Sequence, residues 1–187
     1  MEPVASRSVP GDDVLPEAGL VMDRLLHLDG TPSEVWPWLE QLGKRRAGWY
    51  MPRNVERFIP RSRRALRRIE PRWFGLTAGD VIPDWGPGDP TFEVLEIDRP
   101  RHLVYWSERP RKARRGRRRE PLRCTWALVL TEESGVLAGT ELHLRLRLDL
   151  SHRAGPVAKY GGGAMDWATV RLLGRGLNER LRSSTTG

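Results

Sequence analysis

The sharpest pattern in the chain comes late. In ELHLRLRLDL, Leu142, Leu144, Leu146, Leu148 and Leu150 alternate with Glu141, His143, Arg145, Arg147 and Asp149. A period of two puts the leucines on one face of a strand and the charges on the other. The leucines should be buried and the charges should meet water. On that reading Arg145→Asp costs within about 0.5 kcal/mol, as exposed changes do. Leu144→Asp or Leu146→Asp instead drives a carboxylate into an apolar interior. LVMDRLLHLD, GDVIPDW, TFEVLEID, HLVYWSE and RCTWALVLTEE, bounded by Pro and Gly, read as further strands, and WGPGDP is a strong turn. Cys124, Trp126, Leu128 and Leu130 share one face. The neighbours Tyr105 and Trp106 must face opposite ways, so at most one points inward.

Two stretches have helical signatures. In TPSEVWPWLEQLG, Thr31 can cap, Pro32 suits the first helical position and Glu34 completes a capping box. Val35, Leu39 and Leu42 share a face. Pro37 should kink or divide this helix, and Gly43 should end it. Near the C-terminus, Trp167, Val170, Leu173, Leu177 and Leu181 recur at helical spacing and predict an amphipathic helix over residues 164–182. Gly161, Gly162 and Gly163 precede it. They lack phosphate-binding spacing, and a hinge or connector is favoured over an anion site. Between residues 44 and 78 the pattern is less regular: VERFI reads as a short helix, and RSRRALRRIEPRWFGL is basic, then aromatic.

The order is strand, helix pair, antiparallel meander, long helix, which makes an α+β chain. Its leucine face must be covered, and the last helix is the only large cover available. The length of 187 residues suits a single domain over residues 19–183, after a Pro-, Gly- and acid-containing tail, residues 1–18, expected to be disordered. Eight tryptophans offset a modest 39% hydrophobic content. A lone Cys124 rules out an internal disulfide and fits a cytoplasmic setting. No apolar run is long enough for a membrane span, and no signal-peptide core is present.

Charge changes the picture in one place. Residues 109–119 hold eight basic side chains and no acid, and the whole chain has a net charge of +8. The remainder therefore balances. The segment lies between two strands and reads as a basic hairpin loop over residues 109–121. Arg111, Lys112, Arg114, Arg115, Arg117, Arg118 and Arg119 are candidates for contact with an anionic surface, with lipid headgroups ahead of nucleic acid because no aromatic interleaves them. Solvation of the loop is the simplest reading, because like-charge blocks repel.

Several stretches, "SEVWPWLEQLG", "GWY", "RRIEPRWFGLTAGDVIPDWGPGD", "FEVLEIDRPRHLVYWSE" and "TWALVLTEESGVLAGTELHLRLRLD", together with the element order, resemble the START-like, Bet v 1-like helix-grip (SRPBCC) superfamily. The likeness spans about residues 20–183 and is nearest to bacterial polyketide cyclase/dehydratase and lipid-transport members. Where many relatives carry a Tyr-Ser-Tyr-Asp-Trp-like run, this chain has Tyr50, Met51, Pro52, Arg53 and Asn54. The resemblance implies a helix-grip fold: a curved antiparallel sheet wrapped around a long C-terminal helix, with two short helices after the first strand and an apolar cavity inside. It implies binding, transport or sequestration of a small hydrophobic molecule such as a lipid or polyketide-like compound. The alternative is cyclase/dehydratase chemistry in the same cavity. It does not fix a reaction.

The candidate cavity residues are Trp38, Trp49, Tyr50, Trp73, Trp85, Tyr105, Trp126, Leu144, Leu146 and Trp167. Their indole and phenol groups suit an apolar ligand with a few polar atoms. No catalytic acid or base can be assigned from spacing. His27, His102, His143 and His152 form no metal-ligand pattern, so neither a metal nor a cofactor is expected. Mid-strand Cys124 reads as a buried, inert thiol.

Overall fold

The computed structural model describes residues 7–85, 88–114, 117–135, 138–149 and 156–184, with side chains for all but 111–119, 156–167 and 184 of these. Six strands, β1 (Leu20–Leu28), β2 (Val81–Pro83), β3 (Thr91–Asp98), β4 (His102–Arg114), β5 (Arg117–Glu133) and β6 (Gly139–Leu148), form one curved antiparallel sheet in the order β1-β6-β5-β4-β3-β2. Between β1 and β2 come α1 (Pro32–Gln41), the four-residue α2 (Arg53–Glu56) and two single 3-10 turns. α3 (Pro156–Ser184) closes the chain and packs on β1.

The local signals act as their chemistry dictates. Thr31 and Glu34 form the reciprocal capping box at the start of α1. Pro37 does not divide the helix: α1 runs through it to Gln41, so the missing N–H costs one backbone bond and not the element. On β6, Leu142 and Leu144 are buried in the main core with Leu103, Leu128 and Leu130. Val170, Leu173, Leu177 and Leu181 of α3 join the same core. α3 begins at Pro156, so Gly161–Gly163 lie inside the helix and not ahead of it. Its fit is closest at Gly176, where a Cβ would stand 2.7 Å from the Tyr50 carbonyl oxygen. Only glycine permits that approach.

The opposite face of β6 departs from the simple alternation. His143 and Arg145 are buried, Arg145 to 2% exposure. The reason is the segment expected to be a disordered tail. Residues 7–17 cross the outer face of the sheet, and Val9 is buried against Val104 and Ala127. Arg145 donates to Asp23 on β1 and to Asp12 on this strap, each at 2.7 Å, and to the Arg7 carbonyl at 2.8 Å. Arg147 binds Asp12 and the Leu15 and Pro16 carbonyls. His143 pairs with Asp23 at 2.6 Å. The strap's turn needs Gly11, at φ +83°, where a Cβ would meet Val104 at 2.5 Å. The acids of the tail, which look like markers of disorder, are the counter-ions of the strand.

Two buried ionic hubs fix the 40–76 segment. Glu40 accepts from Trp36 Nε1 (2.9 Å), from the Gly75 and Leu76 amides (2.8 and 2.9 Å) and from Arg99 (2.7 Å). Burial works against its charge, but Arg99, the amide and the indole outweigh it and hold the carboxyl below the usual range. Arg180 of α3, 1% exposed, donates to Glu56 (2.7 Å) and to the Leu66, Met51 and Gly176 carbonyls, and lies 4.6 Å over the Tyr50 ring.

The basic run is not a loop through its whole length. β4 continues to Arg114 and β5 starts at Arg117, with Arg111 opposite Arg119 and Arg114 opposite Arg117. Arg115 falls outside the described residues, as does Gly116. Among the described residues no helix is long and apolar enough to cross a membrane.

Arg145→Asp should therefore destabilise the protein by about 3 kcal/mol or more, because it removes a buried cation and sets a third carboxylate beside Asp12 and Asp23. Urea denaturation checks this, and a change within about 0.5 kcal/mol would restore the solvent-facing reading. Glu40 gives a pH test. Its folded pKa is depressed, so its contribution is complete above the reference value of 4.5 and is lost as the pH falls through the folded value. Glu40→Gln should be less stable at neutral pH and should lose less stability than the wild type on acidification below pH 4.5.

Candidate functional site

The concave face of the sheet and α3 do not meet everywhere. A cavity of about 430 Å³ lies between them, lined by Met22 of β1, Phe92 of β3, Arg109 of β4, Leu122, Cys124 and Trp126 of β5, Leu146 and Leu148 of β6, Trp49 and Asp84 from loops, and Thr169 and Val170 of α3. The alternation that builds β5 explains its share: Leu122, Cys124 and Trp126 are two apart and point to one side. Leu146 pairs directly with Trp126, and Leu148 with Cys124, so β5 and β6 present a continuous apolar floor.

One wall is aromatic. Trp126 stacks between Trp49 (centroids 6.1 Å apart, planes 23° apart) and Tyr105 (5.8 Å, 24°). Phe92 lies 5.7 Å from Tyr105 and 5.8 Å from Trp126, and Trp85 meets Trp49 edge-on at 5.9 Å. These rings also enclose a small void of about 30 Å³ beside the cavity. Such offset and edge contacts add stabilisation beyond area burial. Trp49 Nε1 is buried and has no hydrogen-bond acceptor among the described residues.

One corner is polar. Arg109 donates to Asp84 and, at 3.2 Å, to Ser107 Oγ, and its guanidinium lies 5.3 Å over Phe92. Asp84 is the one carboxylate among the described lining residues. Burial pushes the Cys124 thiol pKa upward, against the smaller opposing effect of Arg109.

The residues singled out from the sequence divide into groups. Trp49, Trp126 and Leu146 line the cavity, and Trp85 and Tyr105 back it through the small void. Trp38 and Tyr50 do not reach it. They are 1% and 0% exposed and edge-on to each other, and Tyr50 Oη donates to the Trp38 carbonyl, so they fill the core beneath α1. Leu144 also lies in the core. Trp73 lines a separate hollow of about 240 Å³ with Arg46, Arg72 and Asp80. Stacking of Arg46 and Arg72 on the Trp73 ring, 5.0 and 4.9 Å from its centroid, holds it there. The side chain of Trp167 falls outside those described, as do those of Arg111, Lys112, Arg114, Arg117, Arg118 and Arg119. Sequence reasoning missed Phe92, Met22, Leu122, Thr169 and the Arg109–Asp84 corner. Stepping by two from Trp126 finds Leu122. The corner joins residues 25 positions apart and leaves no local signal.

Comparison with known proteins bears on the fold. No family model and no curated protein matches the sequence. Solved structures do match. Protein MLL2253 from Mesorhizobium loti is similar over 86% of this chain and 98% of its own, at 17% identity and a TM-score of 0.52. Protein SA2116 from Staphylococcus aureus, described as of unknown function, is similar over 92% and 99%, at 11% identity and a TM-score of 0.50. At such identities the likeness concerns the fold alone. The chain has a helix-grip fold, as the resemblance in its sequence implies.

The raised thiol pKa yields a measurement. Cys124 should react with a maleimide at least about tenfold more slowly in the folded protein than in urea at the same pH, because the thiolate is the nucleophile and burial disfavours it. Equal rates would mean that the cavity floor is open to reagents and the thiol ionises freely.

Proposed function

We propose that this helix-grip chain binds a small hydrophobic molecule, lipid-like or polyketide-like, in the cavity between sheet and helix. The observation that carries the reading is the 430 Å³ cavity itself, apolar on its floor, aromatic on one wall and polar at one corner. Its size falls in the range of small-molecule sites, which are mostly apolar with a few placed polar groups. The Trp49, Phe92 and Trp126 rings that line the cavity favour a flat, unsaturated ligand, since rings gain from offset and edge contacts. Arg109, oriented by Asp84 and Ser107, supplies donors for an oxygen at the ligand's end. The floor gains by desolvation, about 25 cal/mol for each Å² of apolar surface covered.

The test uses N-phenyl-1-naphthylamine, a neutral fluorescent naphthalene, with tryptophan quenching as a second readout. The wild type should bind it and lose Trp49 and Trp126 emission. Leu146→Trp fills existing space, so it should weaken binding about tenfold or more while leaving the melting temperature unchanged or higher. Equal affinity in the two proteins would remove the cavity as the site. Native mass spectrometry of freshly purified protein should show a bound small molecule. Recovery of a chemically altered ligand after incubation would move the protein to the cyclase/dehydratase class.

A further inference from the structure

A second surface stands apart from the cavity. Residues 53–64, RNVERFIPRSRR, hold five arginines and one acid, Glu56. That acid is consumed inside, by Arg180 at 2.7 Å and Arg67 at 2.7 Å. Arg53, Arg57, Arg61 and Arg63 are exposed, and among the described residues no carboxylate meets their side chains. In their midst is Phe58, 77% exposed, the most exposed large hydrophobic side chain among the described residues. The Arg57 guanidinium lies 4.6 Å from the centroid of its ring.

This knob is anchored from within. The Arg53 amide donates to Glu179 of α3, and Glu56 is pinned by Arg180. Arg64 turns back to donate to the Ile59 carbonyl at 2.8 Å and the Arg57 carbonyl at 3.3 Å, which closes the turn that carries Phe58. The ring and its surrounding charges are therefore presented on a fixed loop and need little ordering on contact.

We propose that residues 53–64 dock the protein on an anionic lipid membrane, with Phe58 entering the headgroup boundary and Arg57, Arg61 and Arg63 meeting lipid phosphates and carboxylates. Charge complementarity selects an anionic partner. The geometry of the cluster favours a membrane over a nucleic acid. Single-strand binders use a groove or stripe of cations with several stacking rings. Here one ring stands alone and Arg57 already lies over it. A bare phenyl with no polar atom gains most from an apolar layer, and arginines around it suit the surface above that layer.

The experiment is co-sedimentation with vesicles of phosphatidylcholine alone and of phosphatidylcholine mixed with phosphatidylserine. The wild type should bind the mixed vesicles, less so as salt rises, and should not bind the neutral ones. Phe58→Ser leaves the charge unchanged and should lower affinity for mixed vesicles about tenfold. The triple variant Arg57→Ser, Arg61→Ser, Arg63→Ser should lower it about a hundredfold, at roughly fivefold per arginine. All four residues are exposed, so thermal melts should coincide and a loss of binding cannot be a loss of fold. Variants that bind like the wild type would place any membrane contact elsewhere, for instance on the 109–119 hairpin, and overturn the proposal. So would absence of wild-type binding, or a single-stranded oligonucleotide that displaces the protein from vesicles and loses affinity itself in Phe58→Ser.

Discussion

Arg180 is the constraint on which the helix-sheet arrangement rests. Its guanidinium has left water almost completely, and it is tolerable there only because Glu56, three carbonyls and the Tyr50 ring receive it. Apart from the Gly176 carbonyl, which is α3's own, those partners come from the irregular 50–66 segment, which has little regular structure of its own. The same bonds therefore shape that segment and hold the C-terminal half of α3 to it, with Gly176 letting the backbones touch. With that half fixed, α3 passes over the sheet so that Thr169 and Val170 reach the cavity. Cavity, knob and helix share one buried charge.

How much of this was legible in the sequence depends on the range of the interactions. The capping box, the alternation of β6 and the spacing of Val170, Leu173, Leu177 and Leu181 are local, and each gave the right element. The error at Arg145 was of another kind. Alternation correctly put it on the face opposite the leucines, but whether that face meets water is decided by a strap more than 130 positions away. The aromatic residues show the same limit. Trp126 and Tyr50 look alike as residue types, yet one faces the cavity and the other is sealed under α1 by its bond to Trp38. Composition cannot separate them, because the difference lies in which loops return to cover each ring.

Charge required a finer grain than the total. The +8 of residues 109–119 equals the net charge of the chain, which suggests that everything else is neutral. The remainder is instead strongly patterned. Residues 53–72 hold eight arginines against Glu56 and Glu70, Glu56 is itself spent on the buried Arg180, and of the acids elsewhere Asp12 and Asp23 are spent on the buried Arg145. An acid that serves a buried arginine does little to screen an exposed one.

The N-terminal strap has a mechanical meaning. Val9 touches β4 and β5, while Arg145 and Asp23, through Asp12, bring in β6 and β1. Four adjacent strands are thus cross-tied on their convex side, like ribs under a batten. A curved sheet flexes by sliding its strands past one another, and a transverse tie resists that shear. The floor of the cavity is then stiff, and a guest too large for it must be accommodated by the helical wall.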